Sequence, residues 1–170
     1  MPDVSREYYE RELQHISRCT EEEMESLFPQ AFSGNKEAVS RLVEGNMYRV
    51  REAASWFSKD RPYFMDLVQE GNMALFLFVT SEEYYSDASP YRMDAAIREA
   101  MENFVSEEEE SDRAKNELKT MLNVIDEVTV RLTEELGREP TAEEVAAKVG
   151  RDPSDVRYLL RIALSAVKKD

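Results

Sequence analysis

Apolar residues recur at three- and four-residue steps along nearly the whole chain, and nowhere do they alternate as a strand requires. From Val39, the small or apolar positions Leu42, Val43, Met47, Val50, Ala53, Ala54 and Phe57 form one stripe, which predicts a core helix. Pro62 closes the linker after it. A second helix is predicted from about Phe64 to Val79, with Leu67, Val68, Leu75, Phe78 and Val79 facing inward. Gly71 lies in its interior, where glycine costs about 1 kcal/mol relative to alanine. That position must therefore gain from the close approach of a neighbour. Ser89-Pro90 opens a third helical pattern, since proline suits a first turn, and Met93, Ala96, Ile97, Ala100, Met101 and Phe104 follow it.

The pattern breaks at 106–112, SEEEESD, which reads as a solvated linker or frayed helix end and as a domain boundary. Beyond it Leu118, Leu122, Ile125, Val128, Leu132 and Leu136 make another stripe, closed by Gly137 as a C-terminal cap. Thr141 with Glu144 three residues on is a capping box for a short helix that Gly150 ends. Asp152-Pro153 starts a last helix holding Val156, Leu159, Leu160, Ala163 and Val167. The expected fold is all-α: a helical bundle over residues 1–105, an acidic linker over 106–112 and a small three-helix domain over 113–170.

Charge changes the picture. The 170 residues carry 22 Lys and Arg against 36 Asp and Glu, a net −14. The excess lies in the first 136 residues, for residues 137–170 are close to balanced. Between Glu99 and Asp112 stand seven carboxylates and no Lys or Arg, a field that repels a phosphate backbone. No apolar run is long enough to span a bilayer, and the opening MPDVSREYYERE lacks the basic end and apolar core of a secretory signal. The expected compartment is the cytoplasm, with no membrane partner.

Candidate chemistry is thin. Cys19 is the single cysteine, which excludes an internal disulfide and reads as a small half-buried apolar residue. His15 is the single histidine and has no companion nucleophile, and the five glycines are too scattered to cradle a phosphate. Glu107 to Glu110 are adjacent, so on a helix they point in different directions and do not converge on one ion. Neither catalysis nor a cofactor nor a metal is expected. The polar side of the second core helix offers more. Asp66, Gln69, Glu70 and Met73 lie at helical steps on one side, with Asn72 at its margin and Phe76 beyond. This is either a solvated face or a docking surface for another protein's helix, with amides and carboxylates giving directed hydrogen bonds and Met73 and Phe76 giving apolar anchors.

A family resemblance favours the second reading. DLVQEGNMALF at 66–76 and LGREPTAEEVAAKVG at 136–150 resemble two signatures of bacterial RNA polymerase sigma factors of the sigma-70 class, in the same order and with similar spacing. The first is similar to the most distinctive part of region 2, and RLVEGNMYRVREAASWF at 41–57 resembles the helix before it. YYERELQHISRCTEEEMESLFPQAFSGNKEA at 8–38 is similar to region 1.2, and LGREPTAEEVAAKVGRDPSDVRYLLRIA at 136–163 resembles region 3. The resemblance implies that core RNA polymerase is the partner, bound at its β′ clamp helices through Asp66, Gln69, Glu70, Asn72, Met73 and Phe76. It implies a role in transcription initiation and leaves room for an anti-sigma factor.

The chain departs from that family where promoter DNA is read. The tryptophan pair that family members use at the minus-ten element aligns with Ala95 and Ala96, followed by a retained Ile97-Arg98. Stacking on aromatic faces is worth about 1–3 kcal/mol per base, so the platform is missing. Tyr84, Tyr85 and Tyr91 stand near, and packing or interface roles suit them better in so acidic a segment. The basic stretch that joins regions 2 and 3 is replaced by SEEEESD, which predicts weak promoter binding. Candidate DNA contacts are Tyr91, Arg92, Arg98, Arg151 and Arg157. The helix-turn-helix of region 4 does not follow, so the chain is a fragment or dispenses with that contact. The alternative function is a non-DNA-binding interaction module, or a decoy that competes with other sigma factors for core polymerase.

Overall fold

The computed structural model describes residues 4–59 and 62–167, with side chains described as far as Ile162. Among the described residues seven helices follow one another: α1 (Val4–Leu13), α2 (Glu21–Phe32), α3 (Lys36–Phe57), α4 (Phe64–Thr80), α5 (Pro90–Leu136), α6 (Ala142–Val149) and α7 (Pro153–Val167). A 3-10 turn at Glu82–Tyr84 links α4 to α5, and no strand occurs among the described residues. The expected all-α class is the one observed. Among the described residues no helix is long and apolar enough to cross a membrane. Internal contacts divide the chain into two compact units, Met1–Glu108 and Glu109–Asp170.

In the first unit, α3 and α4 are the centre of the core, joined by Met24 and Phe28 from α2 and by Met93, Ile97 and Met101 from α5. Thr20 caps α2 by accepting from Glu23 N at 3.2 Å, and Asn35 caps α3 by accepting from Ala38 N at 3.1 Å. In each of these two helices a side chain thus satisfies one of the orphan donors of the first turn. The predicted stripe of α3 is buried at Leu42, Val50, Ala53 and Ala54, while Val43, Met47 and Phe57 lie half-buried on its flanks.

The stripe also contains Asn46, which is fully buried and which the apolar pattern could not flag. Its amide donates to the Leu42 carbonyl at 2.8 Å, and its Oδ1 accepts from Arg49 Nε at 2.9 Å. Arg49 in turn donates to Asp94 on α5 at 2.7 Å, so the polar group is satisfied and ties two helices together. Cys19 is fully buried, where half-burial was expected, because its amide donates to the Gly45 carbonyl at 3.0 Å and draws it onto α3. Burial pushes its thiol up to about 11, and the neighbouring Glu23 adds to the rise. Gly71 of α4 is where a β-carbon would collide with Met101 Cε and come within 2.7 Å of Val50 Cγ1. The missing side chain is what lets α3, α4 and α5 meet.

The stretch 106–112, read from sequence as a solvated linker or frayed helix end, is helical. No Gly or Pro follows Pro90 until Gly137, so nothing in the sequence stops α5 from propagating. From Ser106 to Val124 the helix has no buried residue.

The second unit packs the end of α5 against α6 and α7 around Ile125, Leu132, Val145, Ala146, Val156 and Leu159. Leu118 and Leu136, at the two ends of the predicted stripe, are exposed. The capping box is present in full: Thr141 accepts from Glu144 N at 3.3 Å, and the Glu144 carboxylate accepts from Thr141 N at 2.8 Å. Gly150 adopts φ +68°, a left-handed conformation open to glycine, and ends α6. The side chains of Ala163 and Val167, assigned to the last apolar stripe, lie outside the described residues.

Candidate protein-docking site

The outer side of α4 presents apolar side chains that nothing in the first unit covers. Met73 is 56% exposed, Phe76 49% and Leu77 51%. Large apolar groups this open, next to one another on a rigid helix, mark an interaction surface more often than a random exposed leucine does. Gln69 and Asp66 are exposed one and two turns toward the N-terminus from Met73, and Glu70 and Asn72 are half-buried along the margins. From Phe64 to Thr80, α4 carries two carboxylates and no Lys or Arg.

Sequence periodicity placed these residues on one side of a helix. The structure adds a second wall. α1 lies against the first turns of α4, with the Tyr9 ring edge-on to Phe64 at 6.4 Å and the Arg6 guanidinium over that ring at 4.1 Å. Glu10 is held between Arg6 at 3.1 Å and Arg51 at 3.7 Å, which fixes α1 to α3 as well. Between α1 and α4 runs an open groove of about 660 Å³ lined by Tyr9, Met65, Asp66, Val68, Gln69, Asn72, Met73 and Phe76. Five of the six residues named from sequence line it, and Glu70 lies outside that lining. An adjoining groove of about 570 Å³, lined by Val4, Tyr8, Tyr9 and Met65 among others, extends the apolar surface along α1.

Tyr9, Met65 and Leu77 are groove or surface residues that sequence reasoning missed. Met65 and Leu77 carried a signal, as apolar positions off the buried stripe of α4. Tyr9 carried none, because its contact with α4 spans more than fifty residues of chain. Burial pushes the Tyr9 hydroxyl up to about 12, partly offset by the Asn72 side chain beside it and by Arg51.

The residues named for DNA contact are more scattered. Tyr91 is 80% exposed on the first turn of α5, and Ala95 and Arg98 follow it at steps of four and three, on one side of the helix. Arg92 pairs with Asp87 at 2.9 Å and Arg157 with Glu143 at 3.6 Å, so carboxylates already share both cations. Arg151 is exposed just before α7, in the second unit. Tyr84 and Tyr85 are packing residues, Tyr84 tilted on Phe78 at 4.6 Å and Tyr85 on Phe32 at 4.2 Å. Ala96 packs on the core of the first unit, and neither it nor Ala95 supplies an aromatic face. Among the described residues no group of His, Cys, Asp and Glu could hold a metal ion.

Comparison with known proteins assigns a class. Residues 121–168 match the family model of sigma-70 region 3, which extends the likeness read at 136–163 upstream into α5. The chain is 28% identical over 163 residues to the RNA polymerase sigma factor SigA of a Bacillus species, covering 94% of this chain and 42% of that protein. It is 27% identical over 161 residues to SigA of Listeria monocytogenes, covering 94% and 43%. These matches place the chain among relatives of the bacterial sigma-70 class along most of its length, and those relatives are named as RNA polymerase sigma factors. The chain spans about two fifths of the length of these relatives. It is also similar to a chain of the flagellar sigma/anti-sigma complex Sigma-28/FlgM, at 26% identity over 75% of this chain and 57% of that one. The TM-score there is 0.37, so the superposition adds nothing to the sequence likeness.

Proposed function

We propose that this chain binds core RNA polymerase at the β′ clamp helices and acts in transcription initiation, in the cytoplasm, with weak promoter binding of its own. The observation that carries the reading is the outer side of α4. Met73, Phe76 and Leu77 stand uncovered beside Asp66, Gln69, Glu70 and Asn72, on the segment whose sequence most resembles sigma region 2. An apolar centre with a polar rim is the anatomy of a helix-docking surface. Substituting Gln69 and Glu70 together by Ala should weaken binding to core polymerase at least tenfold, read by titration in competition with the housekeeping sigma factor. Unchanged affinity would sink the assigned surface.

A second reading has its own support. The seven carboxylates from Glu99 to Asp112 lie on α5, and the two positions aligned with the stacking tryptophans are Ala95 and Ala96. A protein so built suits a decoy that occupies core polymerase and excludes other sigma factors. Transcription from a double-stranded promoter separates the two: specific transcripts with this chain as the sole factor support the first, and inhibition of the resident sigma factor without new transcripts supports the second. An anti-sigma factor that covers the groove is compatible with either.

A further inference from the structure

Between the end of α1 and the middle of α3 lies another cavity, of about 380 Å³, which shares no lining residue with the α4 groove. Small-molecule sites begin at about this size. Its frame is fixed. Arg41 donates to the Ser17 and Arg18 carbonyls at 2.7 and 3.2 Å and to the two Glu23 oxygens at 2.6 and 2.8 Å. Together with the Cys19 amide on the Gly45 carbonyl, these bonds pin the segment that joins α1 to α2 onto α3. The lining combines apolar and charged groups. Leu13 and Ile16 supply an aliphatic side, while Glu10, Glu44 and Glu52 stand against Arg18 and Arg51, which leaves one negative charge over. The C-terminal end of α1, with its partial negative charge, adjoins them.

Glu44, Tyr48 and Glu52 follow at steps of four on α3, so an aromatic ring sits between two carboxylates about 12 Å apart along the helix. The ring already serves as a cation seat. Arg18 lies over it at 4.3 Å and reaches Glu52 only at 4.0 Å, with a side chain 67% exposed, so the seat is loosely filled. Arg49, 5.3 Å from the same ring, is held elsewhere by Asn46 and Asp94. We infer that this cavity binds a linear aliphatic polyamine, which displaces Arg18 from Tyr48. Its terminal ammonium groups pair with Glu44 and Glu52, its middle one lies over the ring, and the methylenes between them cover Leu13 and Ile16. A triamine with three- and four-carbon spacers has the reach of that row when extended. A metal ion has the charge without the apolar stem, and an anion would meet three carboxylates. Arg51 stays with Glu10 at 3.7 Å. This site is independent of the docking reading.

The test is calorimetric titration of the whole chain with spermidine at physiological salt. Binding should saturate at one molecule per chain. Glu44→Gln and Tyr48→Leu should each weaken it about fivefold, the scale of one exposed ion pair or one cation–π contact. Arg18→Gln empties the seat and should tighten binding about threefold. Glu44 and Arg18 are exposed, so both of those variants keep the fold. As a control, Glu107→Gln with Glu110→Gln removes two carboxylates of α5 and should leave the affinity unchanged. A loss in that control as large as in Glu44→Gln means that the amine follows net charge, and overturns the site. A titration that does not saturate overturns it too. Wild-type affinity in Tyr48→Leu, or weaker binding in Arg18→Gln, overturns the shared seat.

Discussion

Gly71 shows how one residue can be set by three helices. Alanine would gain about 1 kcal/mol of helix propensity at this interior position. It would also push a methyl group into Val50 at 2.7 Å and into Met101, in a core whose lining residues are fully buried. Overpacking of that kind costs about 1–3 kcal/mol, so the steric loss outweighs the propensity gain. Gly71→Ala should lower the melting temperature of the first unit, read by circular dichroism or calorimetry. A stabilised variant would mean that α5 can slide away from α4 more easily than the packing indicates. The same residue was legible as an anomaly from sequence alone, since a costly glycine inside a strong helical pattern calls for a neighbour. Which neighbours it admits was not legible, because Val50 and Met101 lie twenty-one and thirty residues away along the chain.

At the scale of elements, the helices with local signals were readable and the contacts between them were not. The capping box at Thr141 and Glu144, the proline starts at Pro90 and Pro153 and the glycine end at Gly150 all lie within a few residues of what they control. The groove is different. One wall, α4, follows from period, whereas the other, α1, is placed by Tyr9 and Arg6 against a ring more than fifty residues downstream. The acidic stretch of α5 reads as a linker because charge runs favour solvation, yet a solvated segment without Gly or Pro can remain helical. The cap of α6 also has a pH signature. The Arg138 side chain, followed by the Thr141 amide, holds the Glu144 carboxyl down to about 2, below the usual 4.5. A depressed folded value gives stability that is present above 4.5 and is lost as pH falls toward 2. The second unit should lose helix through that window, and Glu144→Gln should remove that part of the acid transition. An identical acid profile for the variant would show that the exposed carboxylate is screened from its partners.

For the whole molecule the decisive quantity is charge. A net −14, with the whole of the excess in the first 136 residues, opposes the counterion release that drives non-specific binding to duplex DNA. The free chain should show no measurable affinity for non-specific duplex at 150 mM salt, weaker than the roughly 10⁻⁴–10⁻⁶ M usual for DNA-binding proteins. Electrophoretic retention at that salt would mean that Tyr91, Arg98 and the arginines of the second unit form a stronger basic surface than the net charge allows. The other molecular consequence comes from α5 between Ser106 and Thr120, where no side chain belongs to either core. An isolated helix of that length is marginal in water, and Glu108 facing Asp112 one turn on weakens it further. Its backbone amides should therefore trade hydrogen for deuterium well before those of α3 or α4, in a window opened by local melting and not by global unfolding. The helix is covalently one element and energetically two, so a ligand that quiets one end would leave the other's exchange clock running at its own rate.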